Sequence, residues 1–345
     1  MKYRKLGRTD IEVSEIGFGA WGIGGTSNGA VSYGPTDDRE SKRALKRAFE
    51  LGVTFYDTAD LYGYGHSEGL IGGVFKGRRG RVVIASKVGF LTQEGVQDFS
   101  PSHIRKSIEG SLKRLQSDYV DLYQLHDPTA TLLERDGAMI ETLDSLKREG
   151  KIRAWGISVR TPNDGLFAIR KCGAEVVQVN FNMVDQRILE NGLMNLCQLE
   201  EIGLICRTPL CFGFLTGSYS GETKFDVHDH RSRWPMAQLS LWANANQLFS
   251  PRIRHEGQTD AQLALRYCLS YPAVSTIIPG MLYDEQVDEN VRASHLGPLT
   301  EYERTEVEAL YKSHEFFVRR IDAAQDARNS REQITSPDYQ EKIHR

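Results

Sequence analysis

The chain has 345 residues, 40 % of them apolar and 26 % charged. Its 43 Lys and Arg against 46 Asp and Glu leave a net charge of −3, which excludes a general pull toward nucleic acid or anionic membrane; any bound phosphate must be held by a local site. That length suits two ordinary domains or one α/β barrel, and it suffices to bury a large core.

The first stretch, "KYRKLGRTDIEVSEIGFG", reads as a β-hairpin: two alternating runs flank a Gly-Arg-Thr-Asp turn. It has no signal-peptide core, and no run of about 18 apolar residues follows anywhere, so no export and no membrane span are expected. A strand near Ile16–Ala20 opens a rhythm that continues with "VTFYDTA" (53–59), "RVVIASKV" (81–88), "YVDLYQLH" (119–126), "IRAWGIS" (152–158), "EVVQVNF" (175–181), "GLICRTPL" (203–210) and "VSTIIPG" (274–280). Helical patterns alternate with them at 39–52, 100–116, 132–151, 161–172, 187–202, 258–271 and 284–293. Eight apolar strands alternating with helices predict an α/β fold of the (β/α)8 TIM-barrel type, with an N-terminal β-hairpin and a single barrel domain over 1–315.

Two stretches break the rhythm. Residues 212–256 form a long loop after the seventh strand, and Trp234, Trp242 and Phe249 mark it as a packed loop rather than a linker. Residues 316–345 are a polar C-terminal tail. Five separated cysteines (Cys172, Cys197, Cys206, Cys211, Cys268) form no CxxC pair and predict reduced thiols in the cytoplasm.

Barrels of this kind work at the C-terminal ends of their strands. Strand two ends at Asp57 and its loop carries Tyr62; strand three ends at Lys87; strand four ends at His126. Taken singly, each is more often structural than functional. Four different chemical groups at one mouth are a stronger signal. A tyrosine of ordinary pKa about 10 is a poor acid near neutrality. An ammonium about 4 Å away stabilises the phenolate by roughly 4 kcal/mol at an effective dielectric of 20. That lowers the tyrosine pKa by up to about 3, before desolvation is subtracted. The buried lysine needs a carboxylate to keep its charge, and Asp57 is the candidate. His126 suits a hydrogen bond to a carbonyl oxygen. Such a set protonates an oxyanion as it forms, which is half of a carbonyl reduction. No side chain supplies the hydride, so a nicotinamide cofactor is implied.

Asp57 in "FYDTAD", Tyr62 in "LYGYGHSE", Lys87 in "IASKVG" and His126 in "YQLHDP" resemble the tetrad of the aldo-keto reductases, and the resemblance spans about residues 1–315. It implies catalytic roles for those four and an NADP(H)- or NAD(H)-dependent reaction on an aldehyde, ketone or sugar. It also implies cofactor contacts. Gly19, Ala20 and Trp21 in "GFGAWGIGG" match the first-strand loop, and Asp57 borders it. Ser158 and Gln178 match the carboxamide positions. Arg207, Thr208, Pro209, Leu210, Gly213, Leu215 and Gly217 match the loop over the pyrophosphate. Arg231 matches an arginine of the large loop. Gly280, Met281, Gln286, Glu289 and Asn290 match the adenosine segment. Trp21 and Asp127 are candidate substrate contacts. Three departures stand out: Val159 replaces an asparagine beside the carboxamide serine, Arg207 takes the place of a stacking aromatic ring, and Met281-Leu282-Tyr283 lacks the cation that reads a 2′-phosphate. The family's habit favours NADP(H), and the last departure leaves NAD(H) open beside it.

Other readings are weaker. "GFGAWG" is a literal GxGxxG, yet no helix opens after it, against a Rossmann fold. "DVHDH" (226–230) lacks a third metal ligand, so no metal is expected. Asp60, Tyr64 and His66 border the motif without a demanded role. Members of this family also serve as potassium-channel regulatory subunits, and that nicotinamide-binding role with little turnover is the alternative. A different barrel hydrolase or isomerase is the third reading. Whether the chain is a monomer or a homo-oligomer stays open.

Overall fold

A computed structural model describes residues 1–318 apart from Asp136. The hairpin is present: β1 (Tyr3–Lys5) pairs antiparallel with β2 (Glu12–Ser14). Eight parallel strands follow: β3 (Phe18–Gly19), β4 (Phe55–Asp57), β5 (Val83–Val88), β6 (Val120–His126), β7 (Ile152–Ser158), β8 (Val176–Asn180), β9 (Gly203–Arg207) and β10 (Val274–Ile277). Each pairs with the next in chain order. The seam between β10 and β3 closes through hydrogen bonds from Gly17 N to Ile277 O (2.8 Å), Gly19 N to Pro279 O (2.9 Å) and Ile277 N to Glu15 O (3.0 Å). The fold is the expected (β/α)8 barrel.

Strand parity builds the interior. Successive side chains of a strand point to opposite faces. Phe55, Val83, Ala85, Leu122, Ala154, Val176, Ile205 and Ile278 form one cluster inside the barrel, and Leu6, Ile11 and Val13 of the hairpin join it. The hairpin is therefore the floor of the barrel. Its turn seats tightly: Gly7 has φ +58°, and a Cβ there would lie 2.2 Å from Gly203 N.

The helices start where local chemistry says. Asp37 caps the helix Asp38–Glu50, which buries Ser41, Ala44, Leu45 and Ala48. Ser100 caps Pro101–Leu115, with proline at the first turn. Two expected helices are each broken in two. The 132–151 pattern resolves into Ala130–Arg135 and Ala138–Arg148, and the 187–202 pattern into Arg187–Glu190 and Leu193–Leu199. Gly192, at φ +83°, makes the second break. The long loop holds helices Met236–Ala243 and Asn246–Ile253 and packs Trp242 and Phe249 into the core. A further helix, Glu301–Ser313, begins with a Thr300–Glu303 capping box. Phe316 is buried against Phe249 and Tyr311, so packing runs past residue 315. Residues 319–345 of the expected tail lie outside the described residues.

Leu6 is fully buried in the floor. Leu6→Ala should lower the unfolding free energy by about 2–5 kcal/mol in urea titrations. A loss below about 1 kcal/mol would mean that the hairpin is not part of the barrel core.

Candidate active site

The parity that fills the floor with apolar side chains fills the mouth with polar ones. Two residues beyond Phe55 is Asp57; two beyond Ala85 is Lys87; two and four beyond Leu122 are Gln124 and His126. Four beyond Ala154 is Ser158, and two beyond Val176 and Ile205 are Gln178 and Arg207. All six strands thus turn a polar side chain inward at the same end.

Tyr62 reaches this ring from the loop after β4. The loop is tied down by Ser67, whose hydroxyl donates to Ala20 O (2.8 Å) and accepts from Thr58 Oγ1 (2.9 Å). Gly63 has φ +62°, and a Cβ there would lie 2.3 Å from Gly24 O, so the loop packs directly on the backbone of the first strand's loop.

Lys87 sits at the centre and is fully buried. Its ammonium bonds Asp57 Oδ1, Thr58 O (2.9 Å) and the Tyr62 hydroxyl (3.2 Å). The other Asp57 oxygen accepts from Gln178 Nε2 (2.7 Å) and Gln124 Nε2 (3.3 Å). Burial works against the Lys87 charge, but the fields and hydrogen bonds of Asp57 and Tyr62 outweigh it and hold the pKa above the ordinary lysine value. For Tyr62 the expected sign is reversed. Burial outweighs the field of Lys87, which Asp57 partly cancels, and the phenol pKa is raised rather than lowered. His126 is held neutral: burial pulls its pKa down to about 3 against the opposing pull of Asp127. Its ring lies edge-on to Tyr62 (5.8 Å) and Phe90 (4.9 Å).

A second cluster borders the first. Asp127 follows His126 with φ +57°. Its carboxylate takes Ser158 Oγ (3.3 Å), Arg160 Nε (3.4 Å) and Arg207 Nη2 (3.3 Å). Arg207 Nη2 also donates to Val159 O (3.0 Å).

The remaining expected residues divide. Ala20 N donates to Asp57 O (2.9 Å), and Gly19 bridges Gly280 across the seam, which sets both beside the mouth. Trp21 stacks edge-on against Tyr33 and His230. The segment after β9 is tightly turned, with positive φ at Thr208, Cys211, Phe212 and Gly213; Leu215 within it is buried. Arg231 is spent inside its own loop. Asp229 pairs with it (2.6 Å), Phe212 O accepts from it (3.1 Å), and the rings of Tyr33, Tyr219 and Phe225 surround it. Met281 and Asn290 are buried, while Gln286 Oε1 accepts from Leu282 N (2.7 Å).

Two features escaped the sequence reading. Gln124 shares the inward parity of His126, which was the available signal. Phe90 walls His126. Asp60 is drawn under the loop, where Ser107 Oγ donates to its Oδ2 (2.5 Å) and Oδ1 finds no partner among the described residues. Nearby, fully buried Glu68 binds Arg114 and Ser86. His66 opens the helix His66–Phe75 and pairs with Asp38 (2.8 Å).

The mouth fits a nicotinamide. Among the described residues, three buried polar atoms on its strand ends find no partner: His126 Nδ1 on β6, Asn180 Oδ1 on β8 and Arg207 Nε on β9. Such atoms call for a polar ligand. Among the described residues no helix is long and apolar enough to cross a membrane.

Residues 15–312 match the model of the aldo/keto reductase family. The chain belongs to that family and is a nicotinamide-dependent oxidoreductase. It is 31 % identical to an L-galactose dehydrogenase of Arabidopsis thaliana over 300 residues, 85 % of this chain and 88 % of that one. It is 28 % identical over 316 residues to a probable voltage-gated potassium channel subunit beta of Oryza sativa subsp. japonica, 87 % of this chain and 93 % of that one. The solved holo form of aldo-keto reductase AKR11C1 from Bacillus halodurans is similar with a TM-score of 0.75 and 31 % identity, covering 91 % of this chain and 98 % of its own.

Asp60 offers a test of the site's electrostatics. Burial first, and Glu68 next, push its pKa up to about 7 against the hydrogen bond of Ser107. In the unfolded chain it ionises near 3.9. Between those values the folded protein holds a proton that the unfolded chain has released, so this contribution to stability falls as pH rises, by at most about 4 kcal/mol. Asp60→Asn should be more stable than wild type in urea at pH 8, with the gap narrowing toward pH 5. A gap that does not change with pH would refute the shift.

Proposed function

We propose that residues 1–315 act as one unit that reduces the carbonyl of a small polar substrate, with Tyr62 as the proton donor. The observation that carries this reading is the three-way contact of Lys87 with Asp57, Thr58 O and Tyr62. A nicotinamide, when bound, would supply the hydride. Ser158, Gln178 and Arg207 would hold its ring end, and the loop from Thr208 to Gly217 its phosphates. Neutral His126 donates an N–H to the substrate oxygen and orients the carbonyl. Tyr62 passes its proton to that oxygen as negative charge develops there. The Lys87 ammonium then stabilises the phenolate left behind, while Asp57 keeps that ammonium charged and in place.

The raised Tyr62 pKa gives the reaction a direction with pH. The phenol is fully protonated at neutrality, so the donor form is always present for reduction. Alcohol oxidation needs the phenolate, a minor species at neutrality. Reduction should therefore keep a flat kcat from pH 6 to 9, while kcat for oxidation rises across that range. A reduction kcat that falls tenfold between pH 7 and 9 would rule out Tyr62 as a high-pKa donor.

The family pattern supports NADP(H). Met281-Leu282-Tyr283 offers no cation for a 2′-phosphate, and Arg43, which reaches that helix start, pairs with Asp284 (3.2 Å), so NAD(H) binding is also expected. Arg160, largely exposed at the mouth, and the likeness to an L-galactose dehydrogenase support a sugar or sugar-derived carbonyl. A cytoplasmic setting accords with five unpaired cysteines.

Tyr62→Phe should lower kcat for nitrobenzaldehyde reduction by about 10²-fold or more, with the NADPH Kd within about twofold of wild type. Near wild-type turnover would sink the mechanism. The likeness to a channel subunit beta supports a second reading, a cofactor-holding regulatory protein. Tight NADPH binding by wild type, with no turnover across a panel of aldehydes and sugars, would favour it.

A further inference from the structure

We propose that Asp127 is a positioning residue whose carboxylate fixes the guanidinium of Arg207 on the cofactor side of the mouth, rather than a contact for substrate. This rests on the nicotinamide reading above and goes beyond it by assigning Asp127 a different partner. Every part of Asp127 is already engaged. Its N–H donates to Ser158 O (2.9 Å), and its carbonyl accepts from Gln97 Nε2 (3.2 Å). One carboxylate oxygen receives Ser158 Oγ and faces Arg207 Nη2 at 3.3 Å, and the other receives Arg160 Nε. Only 10 % of its side chain is exposed, which leaves little surface for a substrate.

Arg207 is the member of this cluster that a ligand can use. Nη2 is held between Asp127 and Val159 O, while Nε is buried with no partner among the described residues. A hydrogen bond to Val159 O and the ion pair with Asp127, both on the same nitrogen, orient the guanidinium, whose five donors are rigidly forked. The chain thus presents a preset planar cation next to Ser158 and Gln178. The side chain that sets it comes from the residue directly after His126. Asp127 needs an unusual backbone to do this. Asp and Asn tolerate the left-handed region better than other non-glycine residues, so the residue type at this position answers both to φ and to charge.

That backbone requirement selects the test. Asp127→Asn keeps the left-handed preference and the side-chain shape but removes the charge that holds Arg207. NADPH Kd is read by quenching of protein fluorescence, and carbonyl KM and kcat by turnover. Asp127→Asn should raise the NADPH Kd about tenfold and leave the KM for nitrobenzaldehyde within twofold. Arg207→Ala should give a similar rise, and adding Asp127→Asn to it should change Kd by less than twofold more. The inference is overturned if Asp127→Asn raises the carbonyl KM with NADPH Kd unchanged, or if its effect is the same in the Arg207→Ala background. Should Asp127→Asn fail to fold, Arg207→Lys serves instead: lysine cannot span both acceptors, so the same tenfold rise is expected, and a rise below twofold overturns the proposal. A wild-type protein that binds neither NADPH nor NADH overturns the nicotinamide reading and this inference with it; additivity overturns this inference alone.

Discussion

A lysine ammonium at zero exposure is the constraint around which this mouth is built. Taking such a charge out of water costs several kcal/mol unless a counter-charge and hydrogen bonds replace the lost solvent. An ammonium has three donors. Lys87 has three acceptors: Asp57, Thr58 O and the Tyr62 hydroxyl. The match is one for one, so the hydroxyl is not an accessory to the pair. It is the third acceptor that the buried charge requires. Asp57 is satisfied in turn by Gln178, from β8 across the ring, and Gln124, from β6 two strands away. A requirement for solvation therefore fixes the geometry of the chemistry.

Strand parity makes such a cluster possible. The same alternation places Phe55 in the floor and Asp57 in the mouth, Ala85 in the floor and Lys87 in the mouth. Leu6, Ile11 and Val13 seal the lower end, so water is excluded from beneath the charged layer. A slip of one residue in any strand would exchange the inward and outward sets and leave a charge facing the helices. Fold stability and site assembly are thus two consequences of one register. The side chain that lies off this register, Tyr62, is placed instead by a glycine-tight loop and by the lysine that needs it.

What the sequence disclosed follows the same division. Strand ends, and hence Asp57, Lys87 and His126, were legible because short apolar runs and barrel topology locate them. The breaks at residues 137 and 192 were not, because the apolar face continues across each interruption and periodicity alone reads it as one helix. The helix Glu301–Ser313 carried a capping-box signal in Thr300 and Glu303 that stood outside the eightfold rhythm. The sign of the Tyr62 shift was illegible for a different reason. It is a contest between a nearby ammonium and loss of solvent, and only the second depends on how deeply the loop sinks. Asp127 shows the same limit. Adjacent in sequence to His126, it reads as a candidate substrate contact or a turn cap; the ion-pair partners of its carboxylate, Arg160 and Arg207, stand 33 and 80 residues further along the chain.

The unsatisfied atoms carry the last step. His126 Nδ1, Asn180 Oδ1 and Arg207 Nε are buried, and none finds a partner within the described chain. Each such atom costs about 1–3 kcal/mol, in a fold whose net stability is on the order of 5–15 kcal/mol. The ammonium at the centre of the mouth is fully satisfied, whereas these three atoms on the surrounding strand ends are open to a ligand. A ligand that supplies those partners gains interactions the chain lacks, and by mass action it stabilises the fold that presents them. Binding at these atoms would couple to folding through the same three strands, β6, β8 and β9.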